Sequence, residues 1–132
     1  MNGEELAEFY RAYIACLNDR DWPALPRFVH AEARHDGRPL GVAGYRAMLE
    51  QDVRDIPDLR FGIALLVCQP PRVAARLAFD CRPAGTFLGL PVDGRRVMFT
   101  ENVFYELVEG KIAHVWSVID KAAIEAQLNG GS

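Results

Sequence analysis

The order of elements in this chain predicts an α+β domain, with a curved antiparallel sheet packed on its helices. Three observations carry that expectation. Helical periodicity dominates the first half of the chain, where apolar residues recur at spacings of three and four. Clean period-two alternation dominates the second half, in runs rich in β-branched and aromatic residues. The chain has 132 residues, half of them hydrophobic (50%), which suits one domain with a substantial core. A single domain is therefore expected over residues 1–132.

Residues Glu4 to Asp19 read as a helix, because Leu6, Phe9, Tyr10, Tyr13, Ile14 and Leu17 form one broad apolar face. Asp21 can cap a second short helix with Pro23 in its first turn, carrying Trp22, Leu25 and Phe28. Val29 to Asp36 reads as a short strand with His30 and His35, and Gly37 to Gly41 as a loop. Gly44 to Asp55 is a helix with Tyr45, Met48, Leu49 and Val53 on its apolar side, stopped by Pro57. Asp58 opens a strand through Ile63, Leu65 and Val67 to Cys68, and Gln69 to Arg72 is a turn. The next strand, to Cys81, alternates Val73, Ala75, Leu77, Phe79 and Cys81 against Ala74, Arg76, Ala78, Asp80 and Arg82. Pro83 to Gly94 is a long connection that also holds Phe87, Leu88 and Leu90, as a lid or partner contact would. Arg95–Leu107 and Lys111–Asp120 form a hairpin around Glu109-Gly110. Lys121 to Leu128 is a final helix, followed by a frayed tail from Asn129 to Ser132.

Composition excludes several classes. A formal net charge of −3 gives no electrostatic footprint for nucleic acid. No apolar run approaches the roughly 20 residues of a membrane span, and the acidic start Met1-Asn2-Gly3-Glu4-Glu5 is not a signal peptide. Cys16, Cys68 and Cys81 form no CxxC pair and read as buried free thiols, consistent with a reducing cytoplasm. His30, His35 and His114 lack metal-ligand spacing, and no phosphate-binding loop or nucleophilic triad is recognisable.

The last strand holds the most informative residue. Strict alternation puts Ile112, His114, Trp116, Val118 and Asp120 on one face, so a carboxylate ends an apolar wall. Buried there, Asp120 would move protons; placed at a strand-to-helix junction, it would cap the last helix. Both readings stand on the sequence. His35 is a candidate to polarise a carbonyl or to pair with Asp120, or is a structural histidine. Arg76 neutralises an enolate oxygen or pairs with Asp80. Glu101, on the face of Phe99 and Val103, is a second pocket carboxylate or a cross-strand ion partner. Tyr13, Tyr45, Met48, Phe61 and Trp116 are substrate-binding walls for a flat ligand, or plain core.

Several stretches together resemble SnoaL-like polyketide cyclases of the nuclear-transport-factor-2-like superfamily. They are Arg76–Phe79, Gly85–Val97, Glu109-Gly110-Lys111-Ile112, and Trp116 with Asp120; Trp22, His35, Gly41, Tyr45 and Pro57–Phe61 fit as well. The resemblance covers nearly the whole chain. It implies a cone-shaped α+β barrel with a deep apolar pocket, a homodimer built through the sheet, a small apolar or aromatic substrate, and chemistry without a cofactor or metal. It also implies intramolecular aldol closure of a polyketide-like ester with Asp120 as general acid/base. One departure is visible: Cys81-Arg82-Pro83 stands where many members carry Gly-Thr-His, which points to a changed substrate, an anionic ligand held by Arg82, or lost catalysis. The alternatives are a non-catalytic binding protein with the same pocket, or an epoxide hydrolase-like enzyme using Asp80, Arg76 and Asp120.

Overall fold

The computed structural model describes residues 1–130. Helix α1 (Gly3–Asn18) starts at Asn2, whose side chain accepts from the Glu5 N–H while the Glu5 carboxylate accepts from the Asn2 N–H. That reciprocal pair satisfies two donors that the helix itself leaves free. A 3-10 segment follows at Trp22–Arg27, where the sequence suggested a capped helix; Asp21 makes no side-chain cap bond there. Strands β1 (Val29–His35) and β2 (Arg38–Pro39) lead into α2 (Gly41–Asp55). Strands β3 (Gly62–Gln69) and β4 (Arg72–Cys81) form the next hairpin. The long connection contains its own small hairpin, β5 (Thr86–Phe87) with β6 (Leu90–Pro91). Strands β7 (Val97–Val108) and β8 (Lys111–Ile119) precede α3 (Lys121–Gly130). Asn129 and Gly130, expected in a frayed tail, belong to α3; residues 131 and 132 lie outside the described part.

One six-stranded sheet runs in the order β2-β1-β8-β7-β4-β3. It is antiparallel except where β1 lies parallel to β8, a pairing the sequence alone did not suggest. The sheet curves without closing and packs on the N-terminal helices. The β7–β8 turn is tight because Glu109 and Gly110 both take positive φ, 54° and 73°. In β4 the predicted alternation holds residue by residue, with Val73, Ala75, Leu77, Phe79 and Cys81 buried.

Strict alternation fails at three points: between Val29 and Arg34 of β1, on β8 and on β3. On β8, Leu107 faces Ile112 but Glu106 faces His114, so Ala113 is an extra residue. The inward side is therefore Ile112 and then Val115, Ser117 and Ile119, while His114, Trp116 and Val118 face outward. On β3 the register slips between Ile63 and Leu65, which turns Leu65 and Val67 out to solvent. The core runs between the inner sheet face and the helices, through Leu6, Tyr10, Leu25, Tyr45, Leu77 and Ile124. Cys16, Cys68 and Cys81 are free thiols, with Cys68 only half-buried.

The bulge sets a stability contrast. Ile112→Ala is expected to cost about 2–5 kcal/mol in a denaturant melt, since Ile112 is buried. Val118→Ala, six positions along the same strand but 71% exposed, is expected to stay within about 0.5 kcal/mol.

Candidate active site

A cavity of about 540 Å³ opens between the concave sheet face and the helices. Its size suits a small organic ligand. Six elements supply its inner wall, with Leu77 from β4 and His35 from β1 joining residues of two helices and two further strands. Helix α1 contributes Tyr13 and Leu17. Helix α2 contributes Tyr45, Met48, Leu49 and Asp52. That set falls at i, i+3, i+4 and i+7, so a single helical stripe carries them all. Strand β7 contributes Glu101, Val103 and Tyr105, and β8 contributes Val115, Ser117 and Ile119. The rim carries Asp36, Arg38, Leu88 and Lys121, with Leu88 reaching in from the β5–β6 connection. A narrow annex of about 60 Å³ shares Asp52, Phe61, Glu101 and Ile119 and is otherwise apolar, lined by Phe79, Phe87 and Phe99 among others.

Two carboxyls thus meet in a largely apolar space. Burial raises the Asp52 carboxyl to about 7, and the nearby Glu101 and Asp55 push the same way. Burial also raises Glu101, while a hydrogen bond from Ser117 Oγ–H to Glu101 Oε2 pulls it back. Neither carboxylate forms an ion pair with a cationic side chain among the described residues. The tyrosines beside them are joined in pairs. Tyr13 Oη lies 2.5 Å from Tyr45 Oη, and Tyr10 Oη lies 2.9 Å from Tyr105 Oη. Burial holds all four phenols well above their ordinary range, so they remain neutral hydroxyls. Two hydroxyls sharing one hydrogen bond leave one O–H free, so the Tyr13–Tyr45 pair keeps a donor for a ligand.

His35 also lines the cavity. Its Nδ1 is buried without a hydrogen-bond partner among the described residues and sits 3.4 Å from Asp36 Oδ2. Burial holds this imidazole below the usual histidine range, so it is neutral near pH 7. His30 does not join it. It lies in an outer groove, where its Nδ1 accepts from the Glu32 N–H at 3.0 Å.

The cavity therefore gathers His35, Tyr13, Tyr45, Met48, Phe61 and Glu101 of the sequence candidates. It leaves out three. Asp120 is exposed, and its Oδ1 accepts from the Ala123 N–H at 3.1 Å, capping α3. The β8 bulge explains this, because it removes the residues beyond Ala113 from the face that strict alternation assigned to them. Trp116 is turned outward by the same bulge and stacks on His114 at 4.5 Å. Arg76 lies on the outer sheet face, its Nε donating to Asn102 Oδ1 at 2.9 Å. Asp80 is held by a bidentate pair with Arg96 at 2.7 and 2.6 Å. Asp80, Arg76 and Asp120 therefore do not converge around a water in the cavity. Arg82 serves the loop, its N–H donating to Asp58 Oδ1 at 3.0 Å, and does not line the cavity.

Asp52 and Ser117 are the residues that sequence reasoning missed. A signal for Asp52 was present, since it sits seven residues after Tyr45 on an otherwise apolar stripe. Ser117 carried none without knowledge of the bulge.

A family model for SnoaL-like polyketide cyclases matches residues 7–128. The chain belongs to the SnoaL-like polyketide cyclase family. A SnoaL-like polyketide cyclase from Agrobacterium tumefaciens str. C58 shares 52% identity over 93% of this chain and 97% of its own, with a TM-score of 0.92. TsrD from Streptomyces laurentii shares 25% identity over 97% of each chain, TM-score 0.83. IdmH from Streptomyces antibioticus, at 20% identity over 93% of this chain and 97% of its own, has a TM-score of 0.75 and shows the shared fold. No curated protein matches the chain. Among the described residues no helix is long and apolar enough to cross a membrane.

The raised Asp52 carboxyl has a consequence for stability in this SnoaL-like domain. An unfolded aspartate releases its proton near pH 4, whereas the folded group holds it to about 7. The native state binds more protons across that interval, so its stability falls as pH rises from about 4 to about 7. Asp52→Asn is expected to unfold at higher denaturant concentration than the wild type at pH 8. That advantage should be gone at pH 4, as paired melts would read.

Proposed function

We propose that this protein is an acid/base catalyst of the cyclase or isomerase type. Its substrate is a polyketide-like or other apolar carbonyl compound seated in the cavity. The observation that carries the reading is the Asp52–Glu101 pair, two carboxyls raised by burial inside one aromatic-walled cavity. A group that holds and releases a proton near neutral pH, as burial makes Asp52, suits proton transfer beside a carbonyl. The acid/base role that the family resemblance placed on Asp120 falls in this reading to Asp52 and Glu101, because the Asp120 carboxylate caps α3 outside the cavity. His35 lines the same cavity as a neutral imidazole, and the Tyr13–Tyr45 pair has one spare O–H for a substrate oxygen. The description of the Agrobacterium relative as a SnoaL-like polyketide cyclase supports the same substrate class.

The reading includes a homodimer through the outer sheet face. Leu65, Val67, Met98, Phe104 and Val118 are all exposed on that side. Several large apolar side chains exposed on one face favour a protein contact there.

Turnover of an aromatic polyketide methyl ester tests the chemistry. Asp52→Asn and Glu101→Gln are each expected to lose about a hundred-fold or more in kcat/KM, whereas Asp120→Asn should keep turnover within a few-fold. Equal activity in all four proteins would remove the cavity pair from the mechanism, and an inert wild type that still binds the ester would make the protein a binding module. For assembly, light scattering should give twice the chain mass for the wild type and one chain mass for a Phe104→Glu/Val118→Lys variant; a monomeric wild type rejects the dimer.

A further inference from the structure

The two cavity carboxyls differ in what they are bonded to. Glu101 and Ser117 both point inward from neighbouring strands, with Ser117 directly opposite Val103 and Ile119 opposite Glu101. Ser117 spends its hydroxyl proton on Glu101 Oε2 and its backbone N–H on Asp36 Oδ1, the latter at 3.1 Å. It is thereby tied at two points, to β7 and to the β1–β2 turn. The Asp52 carboxyl, by contrast, accepts no hydrogen bond from the described residues. A donated O–H favours the ionised form of a carboxyl, since hydrogen bonds to charged acceptors are the stronger ones. Two neighbouring carboxyls removed from water resist carrying two charges and share one proton.

We propose that Ser117 decides where that proton sits: Glu101 is the ionised member and takes the substrate proton, Asp52 is the protonated member and returns one, and Ser117 is the positioning residue that divides the roles. This rests on the acid/base reading of the cavity. The step balances. The Glu101 carboxylate removes a C–H proton beside a carbonyl, and the C–H electron pair becomes an enolate. The enolate carbon attacks a second carbonyl, forming a C–C bond and an alkoxide. The alkoxide takes the Asp52 proton. The pair ends with its proton on Glu101 instead of Asp52, and one proton exchange resets it.

The other groups facing this pair are accounted for. Asp36, half-exposed on the β1–β2 turn, opposes the charge on Glu101. Asp55, one turn along α2, opposes a charge on Asp52. Tyr13, Tyr45 and Tyr105 line the cavity as neutral hydroxyls, and His35 is neutral. Two cations, Arg38 and Lys121, stand at the rim without pairing to either carboxyl, and Lys121 is spanned by Glu125 at 4.0 Å. Among the described residues the Ser117 hydroxyl is the hydrogen-bond donor that one acid has and the other lacks.

Carbon-13 NMR titration of the side-chain carboxyls tests this on the purified protein with no substrate present. In the wild type Glu101 should titrate below Asp52. Ser117→Ala should raise the Glu101 midpoint by about one pH unit, the effect expected from losing a hydrogen bond to a charged group. Ser117→Thr, which keeps the hydroxyl, should restore it. Glu101→Gln should lower the Asp52 midpoint, because it removes a charge already present when Asp52 titrates. The proposal is overturned if Asp52 titrates below Glu101 in the wild type, if Ser117→Ala leaves Glu101 within a few tenths of a unit, or if Glu101→Gln leaves Asp52 unmoved. None of these readings needs turnover, so failure of ester cyclisation counts against the function and not against the division of roles.

Discussion

Strand β7 is the member on which everything else is hung. It pairs with β4 along ten consecutive positions, Val97 through Glu106, and with β8 from Glu101 to Val108. Its period-two alternation therefore sorts the inside from the outside for the centre of the sheet. Val97, Phe99, Val103, Tyr105 and Leu107 are buried, while Met98 and Phe104 are exposed. Glu101 lies on the inner row. A register slip of one residue would exchange the two rows, and would take Glu101 out of the cavity with them. The hydrophobic demand for burying Phe99 and Val103 thus holds a carboxyl where solvation alone would not leave it.

The cost of keeping two carboxyls inside is met by neutralisation more than by pairing. Cationic side chains at the cavity stay on its rim, and the phenols that line its depth are bonded to one another. Among the described residues, the donors aimed at the carboxyls reduce to the Ser117 hydroxyl on Glu101. A site built this way keeps a proton near neutrality, because each carboxyl makes ionisation of the other more costly. The same arrangement weakens the fold at alkaline pH, because the folded Asp52 holds a proton that the unfolded chain has already released. The tyrosine pairs contribute in the opposite direction, since Tyr10, Tyr13 and Tyr105 pack as tilted and edge-on rings around their hydrogen bonds.

In β8 a single inserted residue, Ala113, decides the character of both sheet faces. Without it, Trp116 and Asp120 would continue the row of Ile112 into the cavity. With it, Val115, Ser117 and Ile119 take that row. The outer face is left with Trp116, Val118 and Phe104 exposed. The Asp120 carboxylate is released to cap α3, which anchors Ile124 in the core.

Much of this could be read in the residues alone. The helices, the alternation of β4 and β7, the hairpin at Glu109-Gly110 and the family itself follow from local periodicity and motif. So does the inward placement of Glu101, because each depends on neighbours a few positions away. The candidates on α1 and α2, Tyr13, Tyr45 and Met48, were legible for the same reason. What only the tertiary structure decided is non-local. The parallel β1–β8 pairing, the Ala113 bulge and the meeting of Asp52 with Glu101 join segments far apart in the chain. A bulge leaves no trace in composition, since Ala113 suits either a strict strand or an extra residue, yet it reverses every side chain beyond it. That is why the sequence offered Asp120 as the cavity acid, and why the folded chain puts Asp52, Glu101 and Ser117 there instead.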